Sequence, residues 1–160
     1  MARIDVPDGP GGEAAMVWSL QPEMGKLVSR MTTTAYQRSI LPAAEREPAR
    51  MRIAQLNSCS ACAGFRAPSV LAARVPEAVY EHLDEWRTHP VYTHRQRLAI
   101  EYAERFATDH RAIDDEQFAR LRAAFTDAEI LDLTLCCTVF VGLGRTLEVL
   151  QITEAVERDL

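Results

Sequence analysis

Apolar residues recur at helical spacing along most of the chain. Leu20, Met24, Leu27, Val28 and Met31 fall at i, i+4, i+7, i+8 and i+11, which puts them on one stripe over about three turns. Val79, Leu83 and Trp86 repeat the pattern after Pro76, Leu98, Tyr102 and Phe106 do so after Thr93-x-x-Gln96, and Phe118, Leu121 and Phe125 follow the Asp114-Asp115 pair. The last pattern opens at Thr126-x-x-Glu129 and runs from Ile130 to Ile152. Thr with Gln or Glu three positions later is a capping box, in which each residue's side chain meets the other's backbone N–H at a helix start. No segment alternates apolar and polar residues between hairpin turns. The predicted fold is therefore all-α, with six or seven helices whose Met and Leu stripes form the core.

From Leu133 to Gly144 twelve residues carry no charge, whereas a membrane-spanning helix needs about 20 apolar residues. This segment is predicted to be a helix apolar on every side, surrounded by other helices or by a second subunit. Residues 5–13 hold two of the eight prolines and three of the seven glycines, which predicts a flexible lead-in over residues 1–15. The remaining residues, 16–160, fit one domain.

The balance of 48% apolar and 26% charged residues is that of a globular protein. A net charge of −5 argues against a nucleic-acid partner, since phosphate binding needs a basic excess. Arginine supplies every basic side chain except Lys26. Arg3, Asp5 and Asp8 interrupt the N-terminus, so no signal peptide or membrane association is expected and the protein is placed in the cytoplasm. In that compartment a close pair of cysteines is more often catalytic or metal-binding than a structural staple.

Four cysteines occur as Cys59-Ser60-Ala61-Cys62 and the adjacent Cys136-Cys137. The second pair lies in the charge-free run and is read as core. The first follows Asn57-Ser58, a turn-favouring pair that ends a helical pattern containing Met51, Ile53, Ala54 and Leu56. Cys59 and Cys62 are thus expected in the first turn of the next helix, where unpaired amides favour a thiolate and the spacing permits a reversible disulfide. Arg66, four residues beyond Cys62, is expected on the same helical face, where its charge would lower the thiol pKa. An antiparallel turn at Asn57-Ser58 would return Glu47 toward Arg66, as a proton acceptor or as an ion-pair partner. Pro48 places Glu47 in the first turn of its helix. Arg145, on the polar side of the last helix, is read as an ion-pair or interface residue. A structural zinc site wants four ligands, and the chain shows no second Cys-x-x-Cys and no spaced His pair, so no metal or other cofactor is expected. His82, His89, His94 and His110 are read as surface or loop residues.

Glu47, eleven residues, then Cys59-x-x-Cys62, with Ala54-Gln55-Leu56-Asn57 leading into the first cysteine, resembles the alkylhydroperoxidase D-like branch of the carboxymuconolactone decarboxylase superfamily. The likeness extends from the helix around Met24 through Val75-Pro76-Glu77 to Arg145. It implies an all-α fold, a homo-oligomer (trimer or hexamer) and a dithiol that reduces peroxides or exchanges disulfides with a thiol reductant. Cys62 then matches the peroxide-attacking cysteine, Cys59 the resolving cysteine and Glu47 the carboxylate of the proton relay. The family pattern has histidine where this chain has Arg66. Arginine can hold a thiolate but cannot relay its proton, which weakens peroxidase turnover more than thiol–disulfide exchange, unless another histidine completes the relay in space. Two other readings stand beside this one: lactone decarboxylation, which needs no cysteine pair, and a non-catalytic oligomeric homologue.

Overall fold

Residues 2–152, which the computed structural model describes, contain helices and no strands. Five helices have ten residues or more: α2 (Pro22–Gln37), α3 (Ala43–Leu56), α7 (His94–Thr108), α8 (Asp115–Ala124) and α9 (Asp127–Val149). Short helical pieces link them: α1 (Glu13–Met16), α4 (Ser60–Gly64), α5 (Pro68–Ala72) and α6 (Ala78–Glu81), with 3-10 turns at Val17–Leu20, Leu83–Glu85 and His110–Ala112. The last eight residues of the expected 16–160 domain lie outside the described residues. Regular structure begins before that domain's expected start, with Ala14 of α1 buried against the cysteine pair.

The centre of the bundle is α3 against α7, with α9 packed on both. Ala99 and Ala103, fully buried on α7, keep the helix axes close, and Ile53, Leu98, Leu121, Leu133 and Cys137 fill the space around them. Both predicted capping boxes are formed. Gln96 Oε1 accepts from Thr93 N at 2.8 Å and Glu129 Oε2 accepts from Thr126 N at 2.8 Å, with the reciprocal bonds to the threonine hydroxyls. Gln96 also solves a problem in α3. Pro48 has no N–H for the carbonyl of Ala44, and Gln96 Nε2 donates to that oxygen at 2.8 Å. The start of α7 therefore stabilises a proline in the interior of α3.

The stripe on α2 is not core. Leu20, Met24, Leu27 and Met31 are exposed, Leu27 by 63%. The helix instead turns its small and polar side inward, with Gly25 and Tyr36 buried and Val28, Ser29 and Thr32 lining a cavity. Gly25 sets this orientation, because a Cβ there would lie 2.2 Å from the Trp18 carbonyl oxygen. Likewise α9 is covered on one side, through Ile130, Leu133, Cys137, Phe140 and Leu147, and leaves Leu131, Leu135 and Val149 exposed. By length and composition α9 could cross a membrane, but it packs here on α2, α3, α7 and α8.

Candidate active site

The α3–α4 junction builds the site. Asn57 caps α3, Ser58 adopts a positive φ of 55°, and Cys59 becomes the N-cap of α4. The reversal is held by Cys59 N donating to the Ala54 carbonyl at 3.0 Å and by Cys62 N donating to Cys59 Sγ at 3.2 Å. Cys59 and Cys62 are joined as a disulfide, S–S 2.04 Å, as the spacing allowed. Cys59 is buried, whereas Cys62 is half-buried and lines a cavity of about 110 Å3.

That cavity is mostly apolar. Trp18, Val28, Tyr36, Ile53, Phe65, Phe140, Leu143 and Leu147 form much of its wall, and among the described residues Arg50 is the charged member of its lining. Burial pushes the Tyr36 phenol up to about 12, so it stays neutral. Gly144 provides room at the sulfur: a Cβ there would stand 3.5 Å from Cys62 Sγ and 2.5 Å from Asn57 Nδ2. Asn57 is itself clamped to α9, donating to the Phe140 and Val141 carbonyls at 3.3 Å and accepting from Arg145 Nε at 3.2 Å. Arg145 also donates to the Ala107 carbonyl, so within the chain it locks the cysteine turn by hydrogen bonds rather than by the expected ion pair.

Arg66 does not share a helical face with Cys62. α4 ends at Gly64, the chain is extended at Phe65, and the Arg66 guanidinium lies over the Tyr80 ring while donating to the Ala63 and Phe65 carbonyls. The cation beside the cysteine is Arg50. Its Nη1 donates to the Cys62 carbonyl at 2.5 Å, and its Nε and Nη2 make a two-pronged pair with Glu47 at 2.8 and 2.5 Å. Burial alone would lower the Arg50 pKa; the Glu47 bonds more than offset this and raise it, so the guanidinium is permanently charged.

Glu47 is fully buried and lies in the second turn of α3, because the helix begins at Ala43 and Pro48 is internal rather than at its start. Its Oε1 also accepts from the Tyr80 hydroxyl at 3.3 Å. Burial first and the Glu47 charge second push that phenol up to about 12, making Tyr80 a donor and not a base near neutral pH. Glu47 and Arg66 thus meet through Tyr80, and Glu47 and Cys62 through Arg50. Neither Arg50 nor Tyr80 stood out in the sequence, although Glu47 and Arg50 at i, i+3 on a predicted helix form a recognisable pair.

Cys136 and Cys137 are buried free thiols. Burial pushes Cys136 up to about 11 and raises Cys137 further, which keeps both protonated, as core residues should be. No histidine lines the cavity among the described residues. A spaced histidine pair does exist, contrary to expectation: His82 and His89 stack at 3.8 Å beside Glu85, brought together by a helical turn that the sequence spacing of seven concealed.

The architecture has solved counterparts. A protein of unknown function from Agrobacterium tumefaciens, described as a candidate antioxidant defence protein AhpD, superposes with a TM-score of 0.75 at 23% identity over 98% of this chain and 100% of its own. An uncharacterized peroxidase-related protein from Silicibacter sp. TM1040 superposes with a TM-score of 0.78 at 18% identity over 94% and 90% of the two chains. The fold is AhpD-like. In sequence, the uncharacterized protein YnjA of Escherichia coli is 30% identical over 98 residues, 61% of this chain, a match that spans about half (54%) of YnjA. No family model matches the chain. Within the AhpD-like fold, the cysteine pair sits at the junction of α3 and α4, under the inward side of α2 and against the last turns of α9.

Proposed function

We propose that the protein is a thiol oxidoreductase of the AhpD-like branch, using Cys59 and Cys62 to reduce organic hydroperoxides or to exchange disulfides. The observation that carries this reading is the Cys59–Cys62 disulfide on the wall of an apolar cavity whose lining includes one charged group, Arg50. In the reduced protein the Cys62 thiolate attacks the terminal oxygen of ROOH, the O–O bond breaks, and ROH leaves after taking a proton. Cys62 is left as a sulfenic acid. The Cys59 sulfur then displaces its oxygen as water, forming the disulfide, and a dithiol reductant restores the two thiols. Arg50 stabilises negative charge at Cys62, while Glu47 holds Arg50 in place.

Disulfide exchange is the second reading, favoured by a cavity lining that contains no histidine among the described residues and by Arg66 in the relay position. Exchange requires no internal proton relay. In either case the protein works as a homo-oligomer in the reducing cytoplasm, with copies covering the apolar sides of α2 and α9.

The test is consumption of tert-butyl hydroperoxide by the dithiothreitol-reduced protein, with dimedone trapping of Cys62 sulfenic acid in Cys59→Ser. Loss of both disulfide reduction and peroxide consumption in Cys62→Ser is expected. Peroxide consumption unchanged in Cys62→Ser would overturn the reading, and lactone decarboxylation surviving removal of both cysteines would replace it. Thiols inert toward both oxidants would mark a non-catalytic homologue.

A further inference from the structure

We propose that His82, Glu85 and His89 form a binding site for one divalent transition-metal ion, separate from the cysteine pair. The backbone presents these three residues together. Glu85 N donates to the His82 carbonyl and His89 N to the Glu85 carbonyl, both at 2.9 Å, so the segment winds through successive turns. Leu83 and Trp86, between the three, are buried in a separate apolar cluster with Met51, Val79 and Ile100. Burying those two side chains leaves the intervening His82, Glu85 and His89 toward the outside. The far end is also fixed, because Arg97 Nη2 donates to the His89 carbonyl at 2.8 Å.

One donor atom from each of the three residues lies within 4.8 Å of the other two, and His82 Nδ1 is 3.9 Å from a Glu85 oxygen. The imidazole rings are stacked 3.8 Å apart and nearly parallel at 9°. Parallel rings cannot both aim an in-plane lone pair at one point, so binding requires at least one of the two half-exposed rings to rotate about its side-chain bonds. Two imidazoles and a carboxylate suit a borderline ion such as Zn(II), Ni(II) or Co(II) better than Mg(II) or Ca(II), which want oxygen donors. Three protein ligands leave a coordination position for water.

The second hydrogen bond of His89 supplies a reporter. Val91 N donates to His89 Nδ1 at 3.3 Å, which puts the imidazole proton on Nε2. A metal at Nε2 displaces that proton to Nδ1, and a metal at Nδ1 occupies the lone pair directly. Both events release the Val91 amide.

The experiment uses the untagged full chain with Cys59 and Cys62 oxidised, so that their sulfurs cannot bind metal. Zn(II) is titrated in competition with a chromophoric chelator, and the Val91 amide is followed by NMR. One ion per chain is expected, with a shift of the Val91 resonance. His82→Ala or His89→Ala should weaken binding at least about tenfold, whereas His94→Ala and His110→Ala should not change it. Circular dichroism of each variant confirms that it is folded. Failure of the wild-type protein to bind, or binding in a folded His82→Ala/His89→Ala variant equal to that of the wild type, would overturn the proposal.

Discussion

The Arg66 guanidinium lies 3.8 Å from the centre of the Tyr80 ring, on a side chain whose hydroxyl donates to Glu47. The residue four places after Cys62 therefore acts on the buried pair through a phenol and not on the sulfur. A half-buried cation over an aromatic ring is worth about 0.5–2 kcal/mol. Arg66→Ala should lower unfolding free energy by about that amount in urea. It should change the alkylation rate of reduced Cys62 by less than about threefold, since no full charge is removed from contact with the thiolate. A drop of about tenfold or more near neutral pH would mean that Arg66 does contact the thiolate in solution.

Glu47 and Arg50 have the opposite standing, being fully enclosed and matched atom for atom. Removing one partner strands the other without water, at a typical cost of about 3–5 kcal/mol. Glu47→Ala should show that loss in denaturant melts and should also slow Cys62 alkylation as Arg50 is released from its position. Glu47→Gln, which keeps one acceptor oxygen, should lose less stability. Equal, small losses in both variants, below about 1 kcal/mol, would show that the pair is solvated in solution.

How far the sequence reached is explained by which signals are local. Capping boxes at Thr93 and Thr126, the turn at Asn57-Ser58 and the burial of Cys136 and Cys137 all depend on residues a few positions apart, and the structure has each of them. The α2 stripe misled because amphipathic periodicity identifies two faces of a helix without saying which one the chain itself covers. Trp18 against Gly25 and the cavity against Ser29 and Thr32 make that choice, and both are tertiary facts. Arg66 misled for a different reason. The i+4 rule assumes a continuing helix, and α4 stops after five residues. Arg50 and Tyr80 escaped notice because charge in α3 reads as a solvent-facing helix, whereas Arg46, Glu47 and Arg50 are all buried.

Acid should weaken the α8–α9 corner. Glu129 accepts from the Thr126 backbone and from Arg95, and these bonds hold its carboxyl down at about 2, against 4.5 in the unfolded chain. A carboxyl depressed on folding contributes stability above the unfolded value, and the contribution is lost as pH falls from about 4.5 toward 2. Wild type should therefore exceed Glu129→Gln in thermal midpoint at pH 7, with the gap closing below pH 4.5. A gap that is constant from pH 7 to pH 3 would show that hydrogen bonding alone, without charge, stabilises the corner.

The uncovered sides of α2 and α9 carry a prediction about assembly. Leu27 and Met31 of α2 and Leu135 and Val139 of α9 line one groove, with Met24 and Leu131 exposed on the same two helices and Leu20 exposed in the turn before α2. Several large apolar side chains left exposed on two neighbouring helices suit an interface between copies of the chain. Light scattering should find a symmetric oligomer, a trimer or hexamer, and Leu27→Glu with Leu135→Glu should dissociate it into folded monomers. A wild-type monomer at micromolar concentration would rule this out.

Gly144 supplies the most local test of how α9 shapes the sulfur environment. A methyl group there meets Asn57 Nδ2 at 2.5 Å, far inside contact, while its 3.5 Å distance to Cys62 Sγ is ordinary packing. The strain therefore falls on the turn before Cys59 and not on the Cys62 sulfur. Gly144→Ala should cost about 1–3 kcal/mol and slow closure of the Cys59–Cys62 disulfide, because Asn57 must give up its bonds to the Phe140 and Val141 carbonyls. Asn57→Ala removes the clash at its own cost in lost hydrogen bonds. The double variant should consequently lose less than the sum of the two single losses, by about 1 kcal/mol or more. Strict additivity in urea melts would show that Gly144 and Asn57 do not touch, and that the space at Cys62 is set elsewhere on α9.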